Sequence, residues 1–313
     1  MQTTVKLFPP QANPKTEAVL VAYPTSFTNF GNNISRQQQT HSTMIKHLLQ
    51  PLVCERFKND ARYREGHLRV INALPCRRVL GLHTPEIKQI ARELSRKGGE
   101  IALPDGSRKA CTNGREVIEC FEAADSNSLC YEETIIWGFL INLEKCTLAE
   151  RFAMLERYVP VMDNWAVCDS YCANAKWMAK ADKEALWMFL QPYFRSAREF
   201  EVRFAIVTAM TYFLKEEWIE RVFAQLERID FTHITSEYRT DKGKPKAAQQ
   251  GTVQGTEPYY VRMGVAWLLA TALAKFPTQT RDFARTSTLP ADVIKLYTRK
   301  ARESLRTRND AAL

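Results

Sequence analysis

The feature that most constrains this chain is apolar spacing of helical period that begins near Met44 and recurs almost to the C-terminus, with no matching run of alternating apolar and polar residues. The spacing predicts helices over 44–57, from His67 to Ala73, and over 131–143, 148–159, 183–194, 199–214, 217–227, 259–275, 280–286 and 291–305. A further helix opens at His83-Thr84-Pro85-Glu86, with Thr84 as N-cap and Pro85 at its first position. Ile87, Ile90, Ala91 and Leu94 line its apolar side and Gly98-Gly99 ends it. The expected class is therefore all-α.

Three stretches break the rhythm. Residues 1–42, rich in Thr, Asn, Gln and Pro, contain Glu17 as their one acid and read as a poorly ordered tail. Scarcity of acids also fits an organelle transit peptide, but the segment lacks the Arg-rich amphipathic character of one. Residues 99–128 carry Pro104-Asp105-Gly106, Asn113-Gly114 and Asp125-Ser126-Asn127-Ser128, and read as an insertion with a small hairpin at Asp105-Gly106. Residues 232–257, with Lys242-Gly243-Lys244-Pro245-Lys246 and a Gln/Gly-rich run, read as a mobile basic loop. The expected organisation is one helical domain over 43–308, carrying these two loops, with a short tail at 309–313.

Composition narrows the function classes. No apolar run reaches the roughly 20 residues needed to span a bilayer, which argues against a membrane protein. With 44 Lys+Arg against 35 Asp+Glu, the formal charge of +9 favours polyanionic partners. The 8 cysteines form no CxxC pair and read as reduced thiols of an intracellular protein. Cys168 and Cys172 share a helix face, but two ligands do not make a metal site. The 5 histidines show no HExxH spacing, and there is no GxxxxGK[ST] or GxGxxG, so neither a metal nor a nucleotide cofactor is expected.

Chemistry is concentrated in Val161–Cys172, which reads Val-Met-Asp-Asn-Trp-Ala-Val-Cys-Asp-Ser-Tyr-Cys. Trp165 and Asp169 stand four apart, so on a helix an indole and a carboxylate share one surface. The pair is a site or a buttress, and the residues alone leave both open. An echo lies downstream: Val202-Arg203-Phe204-Ala205-Ile206-Val207 and Val261-Arg262-Met263-Gly264-Val265-Ala266 share one pattern. With the basic loop removed the repeat is about 40 residues, the length of a HEAT-type helix pair. Such pairs stack into a right-handed superhelix with a concave face.

With these residues in hand, the chain resembles the AlkC/AlkD-like family of DNA alkylation-repair glycosylases. The resemblance runs through Leu80-Gly81-Leu82-His83-Thr84-Pro85-Glu86, Tyr131-Glu132-Glu133, Asp163-Asn164-Trp165 and Arg299-Lys300-Ala301-Arg302-Glu303-Ser304. It implies a HEAT/ARM-like α-α superhelix that cradles duplex DNA and excises cationic N3- or N7-alkylated purines, without a cofactor. It also implies roles: Trp165 and Trp267 as aromatic walls, Asp169 as the catalytic carboxylate, and Arg203 on the DNA backbone. Arg262, Arg299, Lys300 and Arg302 are further candidate DNA contacts.

The chain departs from the family pattern at three positions. Ala270 and Thr211 stand where basic residues are common, and Asn72 where an aromatic is expected. The leading expectation is a monomeric, intracellular DNA glycosylase acting on nucleoid or nuclear DNA. The alternatives are a non-catalytic binder of branched or damaged DNA and a scaffold for a protein partner.

Overall fold

The computed structural model describes residues 43–241, 244–247 and 258–308. The expected tails at 1–42 and 309–313, and the Gln/Gly-rich run at 248–257, lie outside the described residues.

The described chain is helical, as its periodicity predicts, with strands confined to two hairpins. It opens with α1 (Lys46–Leu49), α2 (Glu55–Asn59) and α3 (Ala61–Ile71), and continues with α4 (Thr84–Lys97). A hairpin of β1 (Gly99–Ala102) and β2 (Arg108–Cys111) follows, then α5 (Gly114–Ala123), α6 (Tyr131–Leu143), α7 (Leu148–Tyr158) and α8 (Trp165–Asn174). Next come α9 (Lys183–Phe194), α10 (Glu199–Tyr212) and α11 (Ile219–Glu227), then β3 (Tyr238–Asp241) and β4 (Lys244–Ala247). The chain closes with α12 (Tyr259–Leu273), α13 (Pro277–Thr286) and α14 (Ala291–Glu303).

From α4 to α14 each even-numbered helix packs on the next, while α5 and α7 lie against α6, α9 against α10, and α13 against α12. Sequence dictates which helices go inside. Helix α6 is buried from Tyr131 to Ile141, and α10 is buried at Glu199 and Phe200 and then from Val202 to Met210. A helix apolar nearly all round has to sit between neighbours. Helix α4, with its single apolar stripe, buries Ile87, Ile90, Ala91 and Leu94 and leaves the rest wet.

The motifs that carry the resemblance meet in space. Gly81, at φ +91°, sits against the Phe57 ring where no side chain fits. Its N–H donates to Glu132 Oε1 at 2.8 Å, and the N–H groups of Leu80 and Leu82 reach the same carboxylate. Glu133 accepts from the N–H of Ile45 and of Cys130. Arg77 donates to Asp163 Oδ2 at 2.8 Å and to the carbonyls of Ser126 and Leu129. Burial raises the pKa of Glu132, Glu133 and Asp163 from the ordinary carboxylate value against the pull of these donors. These acids fasten loops to helices, and Asp163 also lines a cavity of about 270 Å³ with Glu199 and Glu237.

Several boundaries differ from the expectation. Pro51 breaks the predicted 44–57 helix into α1, a 3-10 turn over Gln50–Leu52, and α2. Helix α3 begins at Ala61 rather than His67, because Asp60 accepts from the Tyr63 N–H at 2.9 Å and caps a turn too polar to show periodicity. Thr84 is the first helical residue and not the cap; His83 takes that place without a side-chain bond.

In 99–128 the hairpin forms as expected, pairing Ala102 with Arg108. Asn113-Gly114, however, is a helix start and not a turn. Asn113 Oδ1 accepts from the Glu116 N–H at 3.1 Å and Glu116 returns to the Thr112 N–H at 2.7 Å, opening α5. The basic loop likewise contains order: β3 pairs antiparallel with β4, Tyr238 opposite Ala247.

Candidate functional site

Helix α8 starts at Asn164, whose Oδ1 accepts from the Ala166 N–H at 2.8 Å while its Nδ2 donates to the Ile71 carbonyl at 2.8 Å. That double anchorage sets the rotation of α8 and turns Trp165 and Asp169 to one side, with the Trp165 indole N–H on the Val70 carbonyl at 3.2 Å. From α10, Arg203 meets Asp169 with two prongs: Nε to Oδ1 at 2.9 Å and Nη2 to Oδ2 at 2.8 Å. Its remaining Nη1 donates to the Tyr260 carbonyl at 2.6 Å, and the guanidinium lies 5.8 Å from the Tyr260 ring.

Burial disfavours the Arg203 charge, yet the Asp169 carboxylate more than offsets this and holds the pKa above the ordinary arginine value. The Arg203 side chain is 4% exposed and that of Asp169 16%, so the carboxylate is the member of the pair that solvent reaches.

Trp165, Asp169, Arg203 and Trp267 line one open cavity of about 520 Å³, together with Met263, Lys300 and Arg306. The four residues linked by the family resemblance thus converge from α8, α10 and α12, with Lys300 supplied by α14. Ala270, where the pattern favours a base, also lines the cavity, as do Thr271 and Ala274. Met263, Ala270, Thr271 and Ala274 stand three, four or seven residues from Trp267, the helical spacing of one side, which is the signal that would have found them.

Other sequence candidates fall elsewhere. Arg262 forms an ion pair with Asp292 of α14 and lies 5.5 Å from the Phe231 ring, outside the cavity. Arg299 and Arg302 line a separate depression of about 480 Å³ with Ile294, Lys295 and Thr298. Glu303 touches both depressions and accepts from Lys300 at 2.8 Å. Cys168 and Cys172 are fully buried, and among the described residues no group of three or more Cys, His, Asp or Glu is placed to hold a metal.

Two supporting residues carried no motif. Glu199, buried at the start of α10, accepts the Tyr260 N–H on Oε1 at 2.7 Å and the Ser236 hydroxyl on Oε2. It therefore ties together the two ends of the 237–259 segment, and burial pushes its pKa up to about 7. Asn72 explains one departure. In the left-handed conformation at φ +53°, it donates to the Tyr260 hydroxyl at 2.9 Å and to the Pro245 carbonyl at 3.2 Å. The Tyr238 hydroxyl donates back to the Asn72 carbonyl at 3.0 Å. Where the family pattern expects an aromatic, this chain holds the second hairpin.

Helices α8 and α10 lie within the stretch that matches a family model. The model described as DNA alkylation repair enzyme matches residues 75–230, and the chain belongs to that family, the AlkC/AlkD-like group. No curated protein and no solved structure matches the chain. Trp165, Asp169 and Arg203 fall inside the matched stretch; Trp267 and the α14 cations fall beyond it. The family points to DNA as the partner and to alkylation damage as the occasion.

Proposed function

We propose that the protein is a DNA glycosylase that hydrolyses the N-glycosidic bond of cationic N3- or N7-alkylated purines in duplex DNA, acting as a monomer in an intracellular, DNA-associated location. The observation that carries this reading is the solvent-reached Asp169 carboxylate, pinned by Arg203, in one cavity with two tryptophans.

Alkylation at N3 or N7 puts positive charge on the base and makes it a good leaving group. What remains is to stabilise an oxocarbenium-like sugar and to supply water. Each Asp169 oxygen spends one lone pair on Arg203 and keeps another for the water or the sugar cation. The Arg203 clamp holds the carboxylate in one orientation. Trp165 and Trp267 offer electron-rich faces, worth about 0.5 to 2 kcal/mol each toward a cationic base. Lys300 and Arg306 provide charge for the backbone on the α14 side.

The test is release of N7-methylguanine and N3-methyladenine from alkylated duplex DNA by wild type and Asp169→Asn in parallel. The expected result is release by wild type and a fall of about 10² to 10⁴-fold in the variant, with duplex affinity nearly unchanged. Normal release by the variant would remove Asp169 from the mechanism. No release by either, with binding intact, would establish the second reading, a non-catalytic binder of damaged DNA. That reading is favoured by Asn72, Thr211 and Ala270, which leave out an aromatic and two bases the family pattern contains.

A further inference from the structure

Helix α10 lines two cavities. Arg203 lines the Asp169 cavity, and Glu199, one turn earlier on the same side of the helix, lines the cavity of about 270 Å³ with Asp163, Arg198, Thr235 and Glu237. We propose that Glu199 is a positioning residue for the Asp169 cavity: it acts through Tyr260 and Arg203, and its ionisation sets the charge that a cationic base meets there. The inference rests on the function proposed above.

The connection is a chain of hydrogen bonds. Glu199 Oε1 accepts from the Tyr260 N–H at 2.7 Å, the Tyr260 carbonyl accepts from Arg203 Nη1 at 2.6 Å, and Arg203 grips both oxygens of Asp169. A single residue thus stands between the two acids, and its hydroxyl is held in turn by Asn72 at 2.9 Å. Charge follows the same route. With Glu199 neutral, Asp169 and Arg203 balance each other; with Glu199 ionised, two carboxylates share one guanidinium. The excess negative charge then favours a cationic base and the sugar cation that forms as the base leaves.

The fold accommodates both forms of Glu199. The Ser236 hydroxyl donates to Glu199 Oε2 and lies 3.1 Å from the Tyr238 carbonyl, a second acceptor. A proton on Oε2 can donate to the Ser236 oxygen while that hydroxyl turns to Tyr238, and no buried polar group is stranded. The cavity beside Glu199 gives the proton a way in and out. The charged and titratable groups facing Glu199 are Arg198 and Arg203 on its own helix, Asp163 with its partner Arg77, Glu237 and Tyr238 ahead of the second hairpin, and Tyr260 of α12. Arg198 is engaged by Glu201 at 3.0 Å and by the Pro160 carbonyl at 2.6 Å. Burial outweighs the pull of Ser236, Tyr260 and Arg203 and pushes Glu199 up to about 7, so both forms are populated near neutral pH. Burial raises Asp163, Glu237 and both tyrosines as well, so a variant of Glu199 itself has to assign the titration.

The test follows the Arg203 Nε–H resonance between about pH 5.5 and 8.5 in wild type, Glu199→Gln and Ser236→Ala, beside kcat/KM for N3-methyladenine release from alkylated duplex DNA. The expected wild-type resonance titrates near pH 7, and kcat/KM rises about 10-fold over the same range. Glu199→Gln should flatten both and keep the low-pH rate, with the affinity for unmethylated duplex equal to that of wild type. Ser236→Ala removes a bond that favours the ionised form, and should move both midpoints to higher pH. A flat wild-type resonance would overturn the proposal without recourse to any variant. So would a Glu199→Gln rate profile parallel to that of wild type, the outcome expected if Glu199 only holds the fold together. A resonance that titrates in a protein releasing no base would sink the proposed activity and leave the link from Glu199 to Arg203 standing.

Discussion

Arg203 and Arg262 occupy the same place in the same six-residue pattern, on α10 and α12, and the structure treats them differently. Each reaches an aspartate on a neighbouring even-numbered helix. Arg203 turns back to Asp169 of α8 and is 4% exposed beside a partner that is 16% exposed. Arg262 turns forward to Asp292 of α14, with exposures of 14% and 44%. The repeat supplies an arginine at this position; the neighbouring helix decides whether it faces the cavity. Identical local patterns thus divide into one residue that lines the cavity and one strut outside it. A motif names a position on a helix and leaves its surroundings to the fold.

The sharpest way to break this contrast is to truncate both arginines. Arg203→Ala strands Asp169 and the Tyr260 carbonyl in a largely dry setting, and removing one partner of a buried pair costs about 3 to 5 kcal/mol. Arg262→Ala frees an aspartate that water already reaches, and should cost about 1 kcal/mol or less. Urea unfolding of the two variants gives the difference directly. Equal losses would mean that the repeat, and not the partner, sets the role.

The same contrast marks what the residues alone reveal. Helix class was legible because α4, α11 and α14 bury apolar side chains at helical spacing, and because the apolar runs of α6 and α10 are longer than a strand and show no competing alternation. Helix α5 was not, because Asn113-Gly114 has the composition of a turn and only its bond to Glu116 makes it a cap. Trp165 and Asp169 were legible as neighbours on one helix, being four residues apart. The resemblance put Asp169 and Arg203 in one site but assigned Arg203 to the DNA backbone; their ion pair was not legible, since the two are separated by α9 and the turns around it. Glu199 and Asn72 were illegible: each bonds one backbone group and one hydroxyl far along the chain, at Tyr260 and Ser236 for Glu199 and at Pro245 and Tyr260 for Asn72, and such single long-range bonds leave no trace in side-chain spacing.

Glu199 gives the next test, of intermediate size. Its ordinary pKa of 4.5 becomes about 7 in the fold, so between these values the native state holds a proton that the unfolded chain has released. Stability from this group is present below about pH 4.5 and is lost as pH rises through 7. Glu132, Glu133, Asp163 and Glu237 shift in the same direction, so the wild-type melting curve alone cannot assign the effect. Glu199→Gln keeps an acceptor for the Tyr260 N–H and removes the titration. The drop in melting temperature between pH 5 and 7.5 should be smaller in the variant than in wild type. Identical drops would show that Glu199 does not titrate in this range, and that the carboxylate stays charged beside Arg203.

The smallest effect separates the two tryptophans. Trp165 is half-buried and bonded to the Val70 carbonyl, so its removal disturbs the junction of α3 with α8 as well as the cavity. Trp267 is 38% exposed, and its ring lines the cavity as one wall. If Trp267 is there for packing, Trp267→Ala should cost the several kcal/mol typical of a core aromatic. If it is there for a cationic base, stability should change by about 1 kcal/mol or less. Discrimination between a methylated and an unmethylated duplex should then weaken by about 2 to 5-fold, the equivalent of an exposed cation–π contact. Competition binding of the two duplexes, measured with the Asp169→Asn background to prevent turnover, resolves the alternatives. Equal weakening toward both duplexes would make Trp267 a general DNA contact, and would leave lesion selection to Trp165 alone.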